Sequence, residues 1–290
     1  MAKSFNLTTH ARHDAAHCLA PNLFVTLKRG DRKKLKLDVS YEFNANESLR
    51  FIGFEPLDAS DMKLLQALVA LAGPSEIILD LDEPKSDSAK NLVKLMDPKQ
   101  SALLEDSRIV NVTMTKLLNE CGLTDGGSNR EKAIESLLRL SNVTVVATIK
   151  KKQWSCHLLS YGLDQGSNKI VVALNPRITD AVLGKRQHTT INMEEVRAIK
   201  TDTAAILHQR LCAVIDEGKS KALKEETLIS YIWSNTEHSE PHTVRQNRFK
   251  LKKAIKDIEN TNKWKFEELG AGTYKVNRYK IALKLTEKPS

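Results

Sequence analysis

The stretch from residue 243 to residue 276 constrains the fold more than any other part of the chain. Between residues 243 and 256 there are six basic residues and no acidic one. At 3.6 residues per turn, the apolar side chains of this segment share one stripe that must be buried: Val244, Leu251, Ile255 and Ile258. Two alternating segments follow, 264–266 and 274–276, with a turn at Gly270 and Gly272 between them. The pattern predicts an amphipathic basic helix that leads into a two-stranded hairpin, the combination with which a winged-helix module contacts DNA.

The start of the predicted helix carries the strongest candidates for base contacts. Thr243, followed three residues later by Gln246, matches a capping box, so we expect the helix to begin there. Arg245, Gln246 and Arg248 then fall in its first turns, where the side chains of a recognition helix reach base edges. The other basic residues expected at the DNA are Lys252, Lys253, Lys256, Lys265 and Lys275. The alternative is a solvated charged face, although such faces normally mix in acidic residues and this one has none before Asp257.

The same succession of elements occurs earlier in the chain, which indicates a repeated module. In the second half, a short helix over 225–233 precedes the basic helix and a hairpin over 264–276. In the first half, the succession is a strand, two helices and a hairpin. The predicted elements are a strand over 109–114, a helix over 116–121 capped by Thr115, a helix over 129–140 opened by a capping box of Ser128 and Glu131, and a hairpin over 143–149 and 154–159. Helix, helix and hairpin in each half predict an α+β fold with tandem winged-helix domains.

The first module offers weaker candidates for DNA contact than the second. In its longer helix, Asn129, Arg130 and Lys132 are expected at the DNA, but Glu131 and Glu135 offset their charge. The hairpin tip is a run of lysines suited to phosphate contact, which positions a protein without reading sequence: Lys150, Lys151 and Lys152. Dimerisation is the competing role for this module, and a solvated turn is the competing role for the tip.

The remaining segments complete two domains. Helices are predicted over 59–72, 176–183, 193–199 and 201–215, and a buried strand over 169–174. With 290 residues the chain has room for two domains, and 184–188 is the candidate junction. We therefore predict an N-terminal winged-helix domain over 1–187, for DNA contact, dimerisation or both, and a C-terminal winged-helix domain over 188–290 that carries the basic recognition helix.

Composition favours a polyanionic partner in a reducing compartment. The net charge is +9, which suits nucleic acid. The four cysteines are far apart with no CxxC pair, so neither disulfides nor a zinc site is expected. The first residues lack the apolar core of a signal peptide, and no apolar run approaches the ~18 residues needed to span a bilayer. We expect a cytoplasmic protein with no membrane partner.

Sequence motifs for catalysis are missing. A phosphate-binding loop is excluded because Gly184-Lys185 has no glycine five residues earlier and is followed by Arg186. No pair of histidines has the H-x-H spacing of a metal-dependent nicking endonuclease, and no Ser-His-acid or Cys-His arrangement has local support. Asp80 and Asp82 could hold Mg²⁺ in a nucleotidyl transferase, but two acids at the end of a strand are ordinary loop residues.

Two further clusters have ordinary structural interpretations. His10, His13, His17 and Cys18 lie close together in sequence, yet a metal site needs a fixed scaffold, and we favour a helix start that packs nearby apolar residues. The acidic pairs at 194–195, 225–226 and 267–268 are interpreted as solvated faces or helix-terminus charges. The sequence therefore predicts neither an enzyme nor a metal or cofactor site.

Three stretches of the sequence resemble a known family. They are RHDAAHCLAPNLF at 12–24, VALNPRITDAVL at 172–183 and HTTINMEEVRAIKTDTAAILHQRLCAVID at 188–216. They resemble the RepC replication initiators of IncQ-group plasmids, and the similarity extends over most of the chain. The resemblance implies an initiator that binds direct repeats (iterons) in double-stranded DNA at the origin, opens adjacent AT-rich DNA and helps to load a helicase. It also implies a plasmid-encoded hexameric helicase and a primase as partners, and a homodimer as a further assembly.

Two other functions stay open on the residues alone. A winged-helix transcriptional repressor of its own operon would use the same DNA-binding surface without an initiation role. A primase or nuclease would need Asp80 and Asp82 for a Mg²⁺-dependent activity. Melting of an AT-rich region distinguishes the initiator from the repressor, and loss of a metal-dependent activity on Asp80→Ala would identify the enzyme.

Overall fold

A computed structural model describes residues 7–28, 30–73, 78–80, 87–97, 99, 106–164, 166–233 and 240–280. The helices in this part of the chain are α1 (Ala15–Leu19), α2 (Ala59–Ala72), α3 (Asp87–Met96), α4 (Met114–Glu120), α5 (Gly127–Ser141), α6 (Pro176–Val182), α7 (Met193–Ala198), α8 (Asp202–Val214), α9 (Glu225–Ser230) and α10 (Pro241–Glu259). The strands are β1 (His10–Asp14), β2 (Leu37–Asn44), β3 (Glu47–Gly53), β4 (Ile78–Asp80), β5 (Asp106–Thr113), β6 (Thr144–Ile149), β7 (Lys152–His157), β8 (Leu159–Asp164), β9 (Lys169–Leu174), β10 (His188–Asn192), β11 (Ser220–Lys224), β12 (Trp264–Gly270) and β13 (Thr273–Arg278).

The described strands form four antiparallel sheets. Two have four strands each, in the orders β2-β3-β6-β7 and β4-β5-β9-β8. The third has three strands in the order β11-β13-β12, and the fourth is the pair β1-β10. Antiparallel sheets with helices packed against them give the α+β class that the sequence predicts.

Helix α2 lies at the centre of the first half and has the bounds that the sequence predicts. Its side chains are buried on almost every side, because the helix packs between β1, α5 and α8. Because other elements surround α2, apolar side chains on every side of the helix are buried. Asp58 and Asp61 form a capping box at its start, in which each side chain accepts a hydrogen bond from the other residue's N–H group.

The two halves of the chain share packing across the predicted domain junction. Strand β1 pairs with β10 from His10 opposite Asn192 to Asp14 opposite His188. Buried Gln66 on α2 donates from Nε2 to Gln209 Oε1 on α8 at 2.6 Å. Buried apolar residues of both halves also belong to one core. The division after residue 187 therefore crosses a region of shared contacts and stays a prediction.

The second half is built on the predicted basic helix and hairpin. Helix α10 packs against α8 and β12 through its apolar stripe, and Val244 at the start of that stripe is half-buried. Three members of the stripe are buried, Leu251, Ile255 and Ile258, and so is the neighbouring Ala254. The hairpin β12–β13 is confirmed, and its turn at Gly270, Ala271 and Gly272 has positive φ throughout. Strand β11, which precedes α9, pairs with β13 and completes the sheet.

Two predicted capping boxes are wrong, and both helices begin two residues earlier than expected. In α10, Pro241 occupies the first turn, where its fixed φ suits a helix start and its missing N–H costs nothing. No side-chain cap bond forms there, so the pattern at Thr243 lies inside the helix. Helix α5 follows Gly126, again with no side-chain cap bond, and Ser128 is already helical.

The first module differs from the second in its sheet pairing. Helix α4 is capped by Thr113 rather than by the predicted Thr115, because β5 ends at Thr113 and its side chain accepts from Lys116 N–H. Strand β5 then pairs with β4 and β9, whereas the hairpin β6–β7 pairs with β3. In the second half, the strand before the short helix pairs with the hairpin itself. The succession of elements thus repeats as predicted, but the strand pairing differs between the two halves. Strands β2 and β3 were not predicted from the sequence.

Candidate nucleic-acid interface

The exposed side of α10 carries the predicted recognition residues. Because the apolar stripe faces the core, the side chains on the far side of the helix are exposed: Arg245, Gln246, Arg248, Lys252, Lys253 and Lys256. At 3.6 residues per turn, Arg245, Lys252 and Lys256 fall within roughly 40° of one another around the helix axis. We call this the basic face of α10, defined by Arg245, Lys252, Lys253 and Lys256.

Most of the basic face is free to bind an external anion. Among the residues that the structure describes, Arg245, Lys252 and Lys256 form no ion pair, while Lys253 Nζ lies 4.5 Å from the ring centroid of Phe249. Arg248 is different, since its Nε lies 2.6 Å from Glu225 Oε1 at the start of α9. The residues predicted to contact base edges therefore differ: Arg245 is available for such a contact, whereas Arg248 must first break its ion pair with Glu225.

The acidic residues at the end of α10 point back into the fold. Asp257 Oδ2 accepts hydrogen bonds from the backbone N–H groups of Lys200 and Thr201 at 3.1 and 2.9 Å. Glu259 Oε1 accepts from the N–H of Phe266 at 3.0 Å. These bonds fix the helix to the α7–α8 connection and to the hairpin, and they engage one oxygen of each carboxylate.

The hairpin presents two of the predicted lysines in exposed positions. Lys265 on β12 lies opposite Asn277 of β13, and Lys275 on β13 lies opposite Glu267 of β12. Lys265 Nζ is 3.5 Å from Glu259 Oε1. Because a nearby carboxylate offsets each charge, the hairpin adds less positive potential than the basic face does.

The predicted residues of the first module divide into engaged and exposed groups. Arg130 donates to both carboxylate oxygens of Asp125, at 2.5 and 2.8 Å, and to Asn168 Oδ1 at 2.8 Å. Asn129 Nδ2 donates to the Thr124 carbonyl at 2.9 Å. Both side chains are half-buried and hold the start of α5, while Lys132 is exposed beside them. DNA contact by Asn129 and Arg130 stays a prediction that their local bonds do not favour.

The tip of the hairpin β6–β7 projects the other three lysines. Lys150 and Lys151 have φ of 46° and 69° and form its two-residue turn, and Lys152 begins β7. All three are exposed. Positive φ at both turn positions suits Asn and Gly better than lysine, so two lysines there are conformationally costly.

A buried polar cluster that the sequence did not predict connects the hairpin to the helices under it. Glu195 Oε2 on α7 accepts from His208 Nε2 at 2.6 Å and from Trp264 Nε1 at 2.7 Å. Cys212 Sγ lies 3.5 Å from the same His208 nitrogen. Glu195 is buried, so the interpretation of its acidic pair as a solvated face is wrong for this member, whereas the alternative of a helix-terminus charge agrees with its place in the first turn of α7.

Burial and charge act in opposite directions on this cluster. Burial alone would lower the pKa of His208, but Cys212 and Glu195 outweigh it and raise the pKa to about 10. Burial alone would raise the pKa of Glu195, whereas its hydrogen bond from His208 holds it below its usual range. The pair of His208 and Glu195 lies beside Trp264 and anchors β12, and the side chains of the cluster are buried.

The N-terminal histidines also have structural surroundings. His13 and His17 are buried, and His17 Nδ1 lies 2.7 Å from Asp14 Oδ1. Burial lowers the pKa of His13 to about 4. Arg177 Nη2 bonds to Asp14 Oδ2 at 3.2 Å. In the described ranges, no group of three or more His, Cys, Asp or Glu side chains is arranged to hold a metal ion.

The proposed Mg²⁺ pair cannot be placed as a site. Asp80 ends β4, where it pairs with Asp106 of β5, and Asp82 lies outside the described residues.

Within the described part of the chain, no helix has the length and apolar character needed to cross a membrane.

Two crystal structures of the protein RctB have a similar fold. A crystal structure of a selenomethionine derivative of RctB domains 2 and 3 superposes with a TM-score of 0.53 at 9% identity, covering 91% of this chain and 98% of that one. A second crystal structure of RctB domains 2 and 3 gives a TM-score of 0.50 at 11% identity, covering 90% and 94%. At such low identity the likeness concerns the fold alone. No curated protein matches the chain.

The family follows from the sequence itself. The model of the replication protein C (RepC) family matches residues 4–280. The chain therefore belongs to the RepC family, which confirms the resemblance drawn from its three characteristic stretches.

Proposed function

We propose that this chain is a plasmid replication initiator that binds double-stranded DNA sequence-specifically, at direct repeats (iterons) in the origin. The observation that carries the proposal is the basic face of α10, which is exposed and forms no ion pair in the described part of the chain. Membership of the RepC family supports the same function.

The element order supports a winged-helix module in the second half. Helix α8, strand β11, helices α9 and α10 and the hairpin β12–β13 follow one another, and the sheet order is β11-β13-β12. In such a module α10 enters the major groove and the hairpin approaches the neighbouring backbone. The first half serves as the second module of the tandem, through Lys132 and the tip Lys150–Lys152, or as a dimerisation surface.

Each group of side chains has its own part in recognition. Arg245 and Gln246 read base edges, since a bidentate Arg–guanine or Gln–adenine pair discriminates by roughly 1–3 kcal/mol. Lys252, Lys253 and Lys256 contact phosphates and fix the position of the helix. Neutralising about six phosphates predicts a slope near −5 for log affinity against log salt concentration.

Initiation then requires no chemistry from this chain. Two linked modules on adjacent repeats gain effective concentration and strain the DNA, which yields most easily at pyrimidine–purine steps. We propose that the protein acts in the cytoplasm without a cofactor, melts adjacent AT-rich DNA and recruits a hexameric helicase and a primase. A homodimer is the proposed alternative assembly.

Permanganate footprinting of the origin tests this function. Unpaired thymines should appear in the AT-rich region when the protein is added, and an Arg245→Ala/Lys252→Ala/Lys256→Ala variant should abolish them. Lys94→Ala, at an exposed lysine of α3 that does not belong to the basic face, is the control and should leave the pattern unchanged. Repeat binding without unpaired thymines would contradict initiation by this chain alone and leave the repressor function.

A further inference from the structure

Phe249 is an exposed aromatic residue on the side of α10 that faces away from the core. It is 60% exposed, whereas Phe24, Phe51 and Phe266 are buried. It is also absent from the apolar residues that pack on the core. Exposing a phenylalanine forgoes the free energy of its burial. Because Phe54 is exposed as well, the feature that sets Phe249 apart is the basic residues around its ring.

The ring lies in the middle of the basic face. Phe249 is one helical turn from both Arg245 and Lys253, and roughly 180° around the axis from buried Ile258. Lys253 Nζ lies 4.5 Å from the ring centroid, which holds the two side chains side by side. A ligand that meets this face must therefore offer negative charge around a small apolar spot.

DNA offers that combination in the major groove. Phosphates flank the groove on both sides, and within it the C5-methyl of thymine is the one apolar group on a base edge. A protein partner suits the face less well, because the centres of protein interfaces are depleted in charged residues, whereas Phe249 has basic residues one turn away on either side.

We propose that Phe249 determines sequence specificity by packing on the C5-methyl group of a thymine in the repeat, while its neighbour Lys253 contacts the backbone. This assignment rests on the proposed binding of DNA by α10. It adds an apolar contact for thymine to the polar contacts proposed for Arg245 and Gln246.

Replacing thymine by uracil in the DNA tests the contact directly, since only the C5-methyl is lost. Affinities of the full chain are measured by fluorescence anisotropy for one origin-repeat duplex prepared with thymine and again with uracil. Wild type should bind the uracil duplex about fourfold more weakly, the worth of one buried methyl group. Phe249→Ala should bind both duplexes equally, and Phe249→Leu should keep part of the preference. Phe54→Ala, at a residue that is 76% exposed in the first half, should behave as wild type.

The outcomes separate this inference from the proposed function. A Phe249→Ala variant that keeps the full thymine preference, with circular dichroism like that of wild type, overturns the contact. Equal affinity of wild type for both duplexes overturns it too. If Arg245→Ala and Lys252→Ala also bind repeat DNA like wild type, the assignment of α10 as the DNA-binding helix fails as well. A change in sedimentation coefficient for Phe249→Ala with the thymine preference intact would assign the ring to a protein contact instead.

Discussion

Replacing Glu195 by glutamine or by alanine separates the two buried hydrogen bonds that its carboxylate accepts. Both bonds, from His208 at 2.6 Å and from Trp264 at 2.7 Å, end on the same oxygen. Glutamine keeps an acceptor for the indole N–H but removes the charge that pairs with His208, so we expect the free energy of unfolding to fall by about 3 kcal/mol. Alanine removes both bonds and should cost about 4–5 kcal/mol.

The pH dependence of this loss has a definite sign. The folded pKa of His208 is raised from 6.5 to about 10, so its contribution is fully present below pH 6.5 and is lost as the pH rises towards 10. The folded pKa of Glu195 is lowered from 4.5, so its contribution is present above pH 4.5 and is lost as the pH falls below that value. The stability difference between wild type and Glu195→Gln should therefore be largest between these limits, from pH 4.5 to 6.5, and should shrink towards pH 10.

Urea unfolding followed by tryptophan fluorescence measures both effects. Glu194→Ala is the matched control, because Glu194 is exposed on the same helix and its loss should change stability by no more than about 0.5 kcal/mol. The reasoning is refuted if Glu195→Gln is as stable as that control, or if its deficit is the same near pH 10 as near pH 6.5. A Glu195→Gln/His208→Gln double variant should lose less than the sum of its two single variants.

Three further predictions concern the DNA-binding elements. Arg245→Ala should weaken binding to repeat DNA by roughly 1–3 kcal/mol with little effect on scrambled DNA, whereas Lys252→Ala should weaken binding to repeat and scrambled DNA alike. Titrations of each variant on the two duplexes measure these losses, and the same pattern of losses for both variants would contradict the prediction. Leu251→Ala, in the buried stripe of α10, should lower the free energy of unfolding by about 2–5 kcal/mol, measured in urea. Replacing Lys150 by asparagine and Lys151 by glycine should stabilise the turn by about 1 kcal/mol while weakening DNA binding; stabilisation with unchanged affinity would remove the tip from the interface.

Local patterns were sufficient for elements whose ends are marked by the chain itself. Helix α2 ends beside Gly73-Pro74, and β9 is a short apolar strand, so both have their predicted bounds. The start of α10 was misplaced because Thr243 and Gln246 satisfy a capping pattern, while Pro241 two residues earlier starts the helix without one. A capping pattern in the sequence is thus compatible with a helix start at that position, but the helix can begin elsewhere.

Contacts between residues that are distant in sequence could not be predicted from local sequence patterns. The alternation of apolar and polar residues in β2 was available as a signal for a strand, but nothing near it specifies that β3 should pair with β6. The pairing of Glu195 with His208 and Trp264 likewise depends on how three elements meet. The basic face itself could be predicted, because charge and helical period are local properties. The ion pair between Arg248 and Glu225 could not, because it depends on how α9 packs beside α10.

Fluorescence anisotropy on repeat DNA tests the central claim most directly. The full chain is titrated at ~150 mM salt, where non-specific binding is typically weak, against an origin-repeat duplex and a scrambled duplex of equal length. We predict binding to the repeat that is tighter by about a thousandfold or more, the lower range for specific DNA-binding proteins. Equal, salt-sensitive affinity for both duplexes would contradict the account, because the basic face of α10 would then be a general electrostatic surface.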